Sequence, residues 1–284
     1  MNRFKNIAKK FLSEKVLQTY IFYKNFSLEN GKNKIYRFFD NKTIQTLNDY
    51  PEFKVGEVIF LDKKLKFSHA GALIHSVEEL FCEEIYSFNT DRKQPYIIDC
   101  GSNIGLSIIF FKKLYPDSII VAFEPDKSIF KLLEQNIESY QLGNVTLFNL
   151  AVWNKTEEIN FFSEGALAGS LTTDYSKTNI KTIAKAVDLL EYLDRPIDLL
   201  KIDIEGAEYI VLKHIQTKLF YVKNLFIEYH SDKNNVQELG DLLSVISTAG
   251  FRYYLKEAAT LVSRPFLDKN QGPYDLQMNI FCYR

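Results

Sequence analysis

Cysteine is scarce in this chain of 284 residues: Cys82, Cys100 and Cys282 stand far apart and form no Cys-x-x-Cys pair. That excludes a disulfide framework and points to a reduced, cytoplasmic protein. No apolar run approaches the ~18 residues that a membrane-spanning helix needs. The basic start is not followed by an unbroken apolar segment with a small-residue cleavage site, so no secretory signal is expected. Charge of one sign is lacking as well, with 35 basic residues against 36 acidic ones and a net charge of −1. Without a global basic field, nucleic acid is not an expected partner. Repeats and low-complexity tracts are missing too. What remains is 46% apolar and 25% charged residues, ordinary for a globular protein and enough for a large core.

Residues 1 to about 50 read as helical, rich in Lys, Phe and Tyr. Within them, residues 1–15 carry Arg3, Lys5, Lys9, Lys10 and Lys15, with Phe4, Ile7, Ala8, Phe11 and Leu12 at helical spacing. The favoured expectation is an amphipathic helix packed on the rest of the protein; peripheral contact with an anionic membrane is the alternative. Residues 56–61 and 64–67 flank Asp62-Lys63 as a β-hairpin. Ser76 with Glu79 three residues on reads as a capping box that opens a helix toward Tyr86. Residues 1–95 are therefore expected to form an N-terminal helical extension and cap, ahead of a second domain over 96–284.

That second domain opens on the most informative stretch, Ile97-Ile98-Asp99-Cys100-Gly101-Ser102-Asn103-Ile104-Gly105. An apolar strand runs into a glycine turn, and an apolar helix from Leu106 to Leu114 follows and ends at Pro116. Gly101 and Gly105 allow a tight turn and a close approach to a ligand. The spacing is Gly-x-x-x-Gly rather than the Gly-x-Gly-x-x-Gly of dinucleotide sites, and the carboxylate of Asp99 disfavours a pyrophosphate. A second strand, 118–123, ends in Glu124-Pro125, with Glu124 19 residues after Gly105. This is close to the roughly 20-residue offset at which such units place an acid on the ribose hydroxyls. A cationic, ribose-bearing cofactor without phosphate fits both acids, and S-adenosylmethionine is such a molecule.

From Tyr96 onward strands and helices alternate, which predicts a doubly wound, mostly parallel α/β sheet. Further strands are expected at 145–150, 197–204, 225–230, 251–255 and 277–283, seven in all, with helices near 127–140, 207 and 235–249. An irregular stretch is expected through Gly165 and Gly169, a mobile loop that closes over the ligand. In open α/β sheets ligands lie beyond the carboxyl ends of the strands. There Asp203 and Glu205 are two apart, as are Glu228 and His230, so each pair shares a face while its strand lasts.

Together Asp-x-Gly-x-Asn-x-Gly at 99–105, Phe-Glu-Pro at 123–125, Ala151-Val152, Lys-x-Asp-x-Glu-Gly-x-Glu at 201–208 and Glu-Tyr-His at 228–230 resemble the FkbM-type S-adenosylmethionine-dependent methyltransferases. The resemblance covers about residues 68–284. It implies a Rossmann-like methyltransferase fold with an antiparallel last strand, and O-methylation of a hydroxyl on a sugar, glycan or secondary metabolite. Asp99, Gly101, Ser102, Asn103 and Gly105 would line the methionine portion of the cofactor, and Glu124 the ribose. Pro125, Asn149, Ala151 and Val152 would lie near the adenine; Asn149 and Ala151 stand where many relatives carry an acid.

Methyl transfer from a sulfonium requires positioning and removal of the acceptor proton. Asp203 or His230 is the expected base, with Glu205 and Glu228 orienting it or binding substrate hydroxyls. The same carboxylates and imidazole form a set that would suit Mg²⁺ or Mn²⁺. An N- or carboxyl-methyltransferase, or a non-catalytic cofactor-binding scaffold in glycan assembly, are the competing readings. Plainer roles are expected nearby: Glu208 a solvated helix residue or an N-terminal dipole partner, Lys201 a buried partner of Asp203 or Glu228, His69 and His75 structural with a place in the acceptor cleft as the alternative, His214 ordinary packing.

Overall fold

The computed structural model describes residues 34–163, 169–170, 181–262, 264–268 and 272–284. The basic segment 1–15 lies outside them. Among the described residues no helix is long and apolar enough to cross a membrane.

The cap opens with α1 (Asn41–Asn48), whose first turn is held by the Asp40 carboxylate on the Thr43 N–H. A hairpin follows, β1 (Gly56–Phe60) and β2 (Lys63–Phe67). Its two loop residues are Leu61 and Asp62, both at positive φ, one position earlier than the sequence suggests. Helix α2 (Ala70–Val77) then begins at His69, whose ring Nδ1 accepts from the Ala72 N–H. The capping-box expectation is thus overturned. Ser76 lies in the last turn of α2, and Glu79 sits in a single π-helical turn, Glu78–Cys82. An imidazole, absent from the usual list of capping side chains, supplied the helix start.

The main domain is a seven-stranded sheet of β3 (Tyr96–Cys100), β4 (Ile119–Phe123), β5 (Val145–Phe148), β10 (Ile197–Ile202), β11 (Val222–Asp232), β12 (Arg252–Glu257) and β13 (Tyr274–Tyr283), in the order β12-β13-β11-β10-β3-β4-β5. Strands β11, β10, β3, β4 and β5 are parallel, and β13 runs antiparallel between β11 and β12. The doubly wound, Rossmann-like expectation holds. The chain leaves β3 toward β4 on one side and β10 lies on the other, so the crevice of this sheet opens between β3 and β10.

Strand alternation distributes the core onto two faces. Ile97, Ile120, Leu199 and Phe226 face the cap with α3 (Leu106–Leu114) and α4 (Lys127–Ser139). Ile98, Val121, Leu200 and Ile227 face α5 (Glu208–Ile215) and α6 (Leu239–Thr248). The expected irregular stretch is instead a second sheet: β6 (Ala151–Trp153), β7 (Glu157–Ser163), β8 (Gly169–Ser170) and β9 (Lys181–Asp188), in the order β6-β9-β7-β8. Gly169 and Ser170 pair with β7 rather than forming a loop, while Gly165 lies outside the described residues. Here β6 pairs in parallel with β9 and β7 antiparallel, a pattern that local alternation does not reveal.

Asn136 on α4 is fully buried and ties the cap to the main domain. Its carbonyl oxygen accepts from the Lys66 N–H at 2.7 Å, and its amide donates to the carbonyls of Lys66 and Ile104 at 2.9 Å each. Asn136→Leu would strand three backbone groups in the interior. Since each unsatisfied buried group costs about 1–3 kcal/mol, a loss of at least ~2 kcal/mol is expected in urea-unfolding midpoints; an unchanged midpoint would refute the tie.

Candidate active site

The turn between β3 and α3 is assembled on the neighbouring strand. Gly101 N–H and Ser102 N–H both donate to the Phe123 carbonyl, at 3.0 and 2.9 Å. Gly101 has φ +84° and Gly105 φ +91°, which L side chains rarely adopt. Asn103 also adopts a left-handed conformation, φ 47°, and its N–H donates to the Glu124 carboxylate at 2.9 Å. The other Glu124 oxygen accepts from the Asp126 N–H at 2.9 Å. Burial lifts the Glu124 carboxyl to about 8, against the pull of these two N–H groups.

Asp99 is fully buried, and the cation beside it is the chain's own. Lys201 Nζ lies 3.2 Å from one Asp99 oxygen, while Ser107 Oγ donates to the other at 2.6 Å. The same ammonium donates to the Gly101 carbonyl at 2.8 Å and pairs with Asp203 at 3.3 Å. Burial works against the charge on Lys201, but Asp99 and Asp203 outweigh it and hold the pKa well above the ordinary lysine value. Of the two anticipated partners, Asp203 and Glu228, the ammonium pairs with Asp203; Asp99, which stands opposite Lys201 in the register of β3 and β10, was not anticipated.

Strand β10 ends at Ile202, two residues earlier than expected, so Asp203 and Glu205 do not share a strand face. They stand on a turn with Glu205 at φ 56° and Gly206 at φ 98°. Glu208, only 1% exposed, closes that turn by accepting from the Ile204 and Gly206 N–H groups at 3.2 and 3.0 Å. Of the two roles expected for it, the solvated one is therefore wrong, while its place at the N-terminus of α5 is the other. Glu208 also lies 3.2 Å from His230 Nδ1, while His230 Nε2 lies 3.4 Å from Glu205 and 3.5 Å from Glu228. Burial opposes a charged ring, yet Glu205, Glu208 and Glu228 together raise the His230 pKa well above its ordinary value. Burial lifts Asp203 to about 6 and Glu205 to about 8; burial pushes Glu228 the same way, but its hydrogen bond to His230 and the nearby charges of His230 and Lys201 together lower it.

Asp203, Glu228 and His230 bring one ligand atom each within 4.8 Å of one another, as a metal set requires. The positive charge among them is already supplied by the imidazole. Tyr274 completes the cluster, its hydroxyl donating to Glu205 at 3.1 Å and its ring 4.9 Å from that of His230. Sequence reasoning missed Tyr274, which lies ahead of the strand expected at 277–283; it is the first residue of β13 and arrives here because β13 runs antiparallel to β11.

The turn and the cluster open into one cavity of about 430 Å³, lined among others by Gly101, Asn103, Asp203, Glu205, Glu228 and His230. The cap lines it too, with His69, His75 and Glu79. His69 is thus both a helix cap and a wall residue, and His75 pairs with Glu79 at 3.3 Å. His214 does not merely pack; it lies 2.8 Å from Asp188 on the far side of the sheet. Of the residues expected at the adenine, Asn149 donates from its amide to the carbonyls of Glu124 and Pro125, at 2.9 and 3.1 Å. Ala151 and Val152 are buried in β6.

The sequence has relatives among known proteins. The family description "Methyltransferase FkbM domain" matches residues 99–253. The chain belongs to the FkbM methyltransferase family. Among curated proteins it is 30% identical over 188 residues to Methyltransferase sdnD of Sordaria araneosa, covering 53% of this chain and 72% of that protein. It is 26% identical over 231 residues to Methyltransferase 1 of Beauveria bassiana, covering 71% of this chain and 85% of that protein. Among solved structures, an FkbM methyltransferase from Methylobacillus flagellatus is similar with a TM-score of 0.47 at 15% identity, covering 84% of this chain and 58% of that one.

In this FkbM domain the glycine turn and the turn beyond β10 are in van der Waals register. A Cβ on Gly101 would stand 1.8 Å from the Asp203 carbonyl oxygen, so Gly101→Ala must displace one turn from the other. A fall in methyl transfer of at least about tenfold is expected, with the larger part of any stability loss visible as a lowered Tm. Wild-type activity in Gly101→Ala would show that the two turns move independently.

Proposed function

We infer that the protein transfers a methyl group from S-adenosylmethionine to a hydroxyl of a saccharide or related small-molecule acceptor. The observation that carries this reading is the shared cavity: the glycine turn, through Gly101, Ser102 and Asn103, and a carboxylate–imidazole cluster line the same space, with Glu124 of the neighbouring strand end held against that turn by the Asn103 N–H. Gly101, Ser102, Asn103 and Gly105 suit the methionine portion of the donor, and Glu124 suits its ribose, since two hydroxyls donating to one carboxylate make a charge-assisted clamp. Pro125, Asn149, Ala151 and Val152 would stand on the adenine side. The bound donor supplies a methyl activated by its sulfonium; the chain's residues orient the acceptor and take its proton.

Of the two candidate bases, Asp203 is favoured. His230 is held protonated by three carboxylates and has no lone pair to offer, whereas the Asp203 side chain is 23% exposed and lines the cavity. His230 then orients Glu205 and Glu228 for the acceptor's remaining hydroxyls, and Tyr274 fixes Glu205.

Radiolabelled methyl transfer from S-adenosylmethionine to a panel of neutral saccharides tests the activity. A base must be ionised to accept a proton, so turnover is expected to rise as pH climbs through about 6 and then level, following Asp203. Asp203→Asn should lose roughly 10²–10⁴ in turnover while calorimetry still detects donor binding. Full activity in that variant would remove Asp203 from the role. With His230 supplying the central positive charge, turnover should survive exhaustive EDTA treatment. Loss on chelation, restored by Mn²⁺, would instead assign the cluster to a metal.

A further inference from the structure

The cap contributes Glu79 to the same cavity as the strand ends, a residue that the site expectations did not include. It lies in the π-helical turn Glu78–Cys82 that follows α2, and its side chain is 20% exposed. A π turn inserts an extra residue into a helical repeat and rotates the side chains that follow, and such turns recur at functional sites. Here it sets a carboxylate into the cavity that Glu228 and Asp203 also line. Burial first, then the charges of Glu228 and Asp203, lift the Glu79 carboxyl to about 7, with Lys256 opposing.

The cavity is therefore lined by acids from two separate parts of the fold, the cap and the strand ends. Its buried cations are both committed: Lys201 to Asp99, Asp203 and the Gly101 carbonyl, and His230 to Glu205, Glu208 and Glu228. His69 uses Nδ1 to accept from the Ala72 N–H, and His75, with a side chain 59% exposed, is paired with Glu79 itself. A hydroxyl entering this space finds acceptors from both the cap and the strand ends. An anion finds like charges, the arrangement by which sites reject wrong partners.

We propose that Glu79 is the residue that makes this cleft select uncharged polyhydroxyl acceptors and reject those with a carboxylate or phosphate beside the hydroxyl to be methylated. This rests on the saccharide reading above. Glu79 acts on the acceptor alone, since it stands on the cap rather than on the glycine turn or beside Glu124.

The test uses the full chain at pH 8.5, where Glu79, lifted to about 7, is ionised; the protein is saturated with S-adenosylhomocysteine and titrated with methyl glycosides of common hexoses and with the matching methyl uronides, binding being read by saturation-transfer NMR. Hexosides are expected to bind at least about tenfold more tightly than their uronides, a like-charge penalty of about 1.4 kcal/mol. Glu79→Gln and, as a second variant, Glu79→Ser should shrink that ratio at least about threefold with donor affinity unchanged, which also reports that they fold. A ratio that persists in both variants overturns the role of Glu79. Uronides that bind the wild-type protein as well as hexosides overturn the charge selection and leave the saccharide reading standing. Binding of neither class while the donor binds overturns the saccharide reading and this inference with it.

Discussion

The ammonium of Lys201 is the interaction on which the site depends. It lies among Asp99 at the end of β3, the Gly101 carbonyl in the glycine turn and Asp203 beyond β10, with the Tyr86 ring of the cap side 6.0 Å away. One buried charge thus fixes the spacing of the donor turn from the proposed base. Such an arrangement is poor evidence for stability, because desolvating the three charges costs about what their attraction returns. Its value lies in geometry, since any partner left alone would be an uncompensated interior charge. The close approach of Gly101 to the Asp203 carbonyl adds a steric constraint to the electrostatic one.

The rest of the cluster follows from the need to neutralise carboxylates out of water. His230 sits among Glu205, Glu208 and Glu228, and each of those acids has a second task. Glu208 also closes the turn beyond β10, Glu205 is held by Tyr274, and Glu228 faces the cavity. Asp203 and Glu79 retain raised carboxyl pKa values because burial, and after it the neighbouring carboxylates, disfavour their charged forms. Groups poised near neutrality in a cleft are the property that proton transfer and acceptor choice both exploit.

Much of the framework was legible in the chain because interior parallel strands carry continuous apolar runs. Ile97-Ile98, Ile120-Val121 and Leu199-Leu200 each send one residue to either face of the sheet, and all are buried. The hairpin was legible to within one residue of its turn. The second sheet was not, since β7 and β9 find each other across a long connection and β6 joins them in parallel from outside it. Nor was the start of α2, where an imidazole takes the capping position. Reading Asp203 and Glu205 as one strand face failed because β10 stops at Ile202 and a left-handed Glu205 redirects the chain.

By itself, the sequence determined the alternation of strands and helices, the glycine turn, the acid at the end of the second strand and the order of motifs that mark the FkbM family. These are local properties, set by periodicity and by backbone conformations that few residues tolerate. Only the tertiary structure decided which charges meet. Lys201 joins Asp99, Glu208 moves from a helix surface to the interior, Tyr274 reaches Glu205 across 69 positions, and Glu79 leaves a supposed cap to share a cavity with the strand ends. Electrostatic partners in a dry crevice are chosen by distance in space, and strand order, which no local pattern encodes, sets that distance.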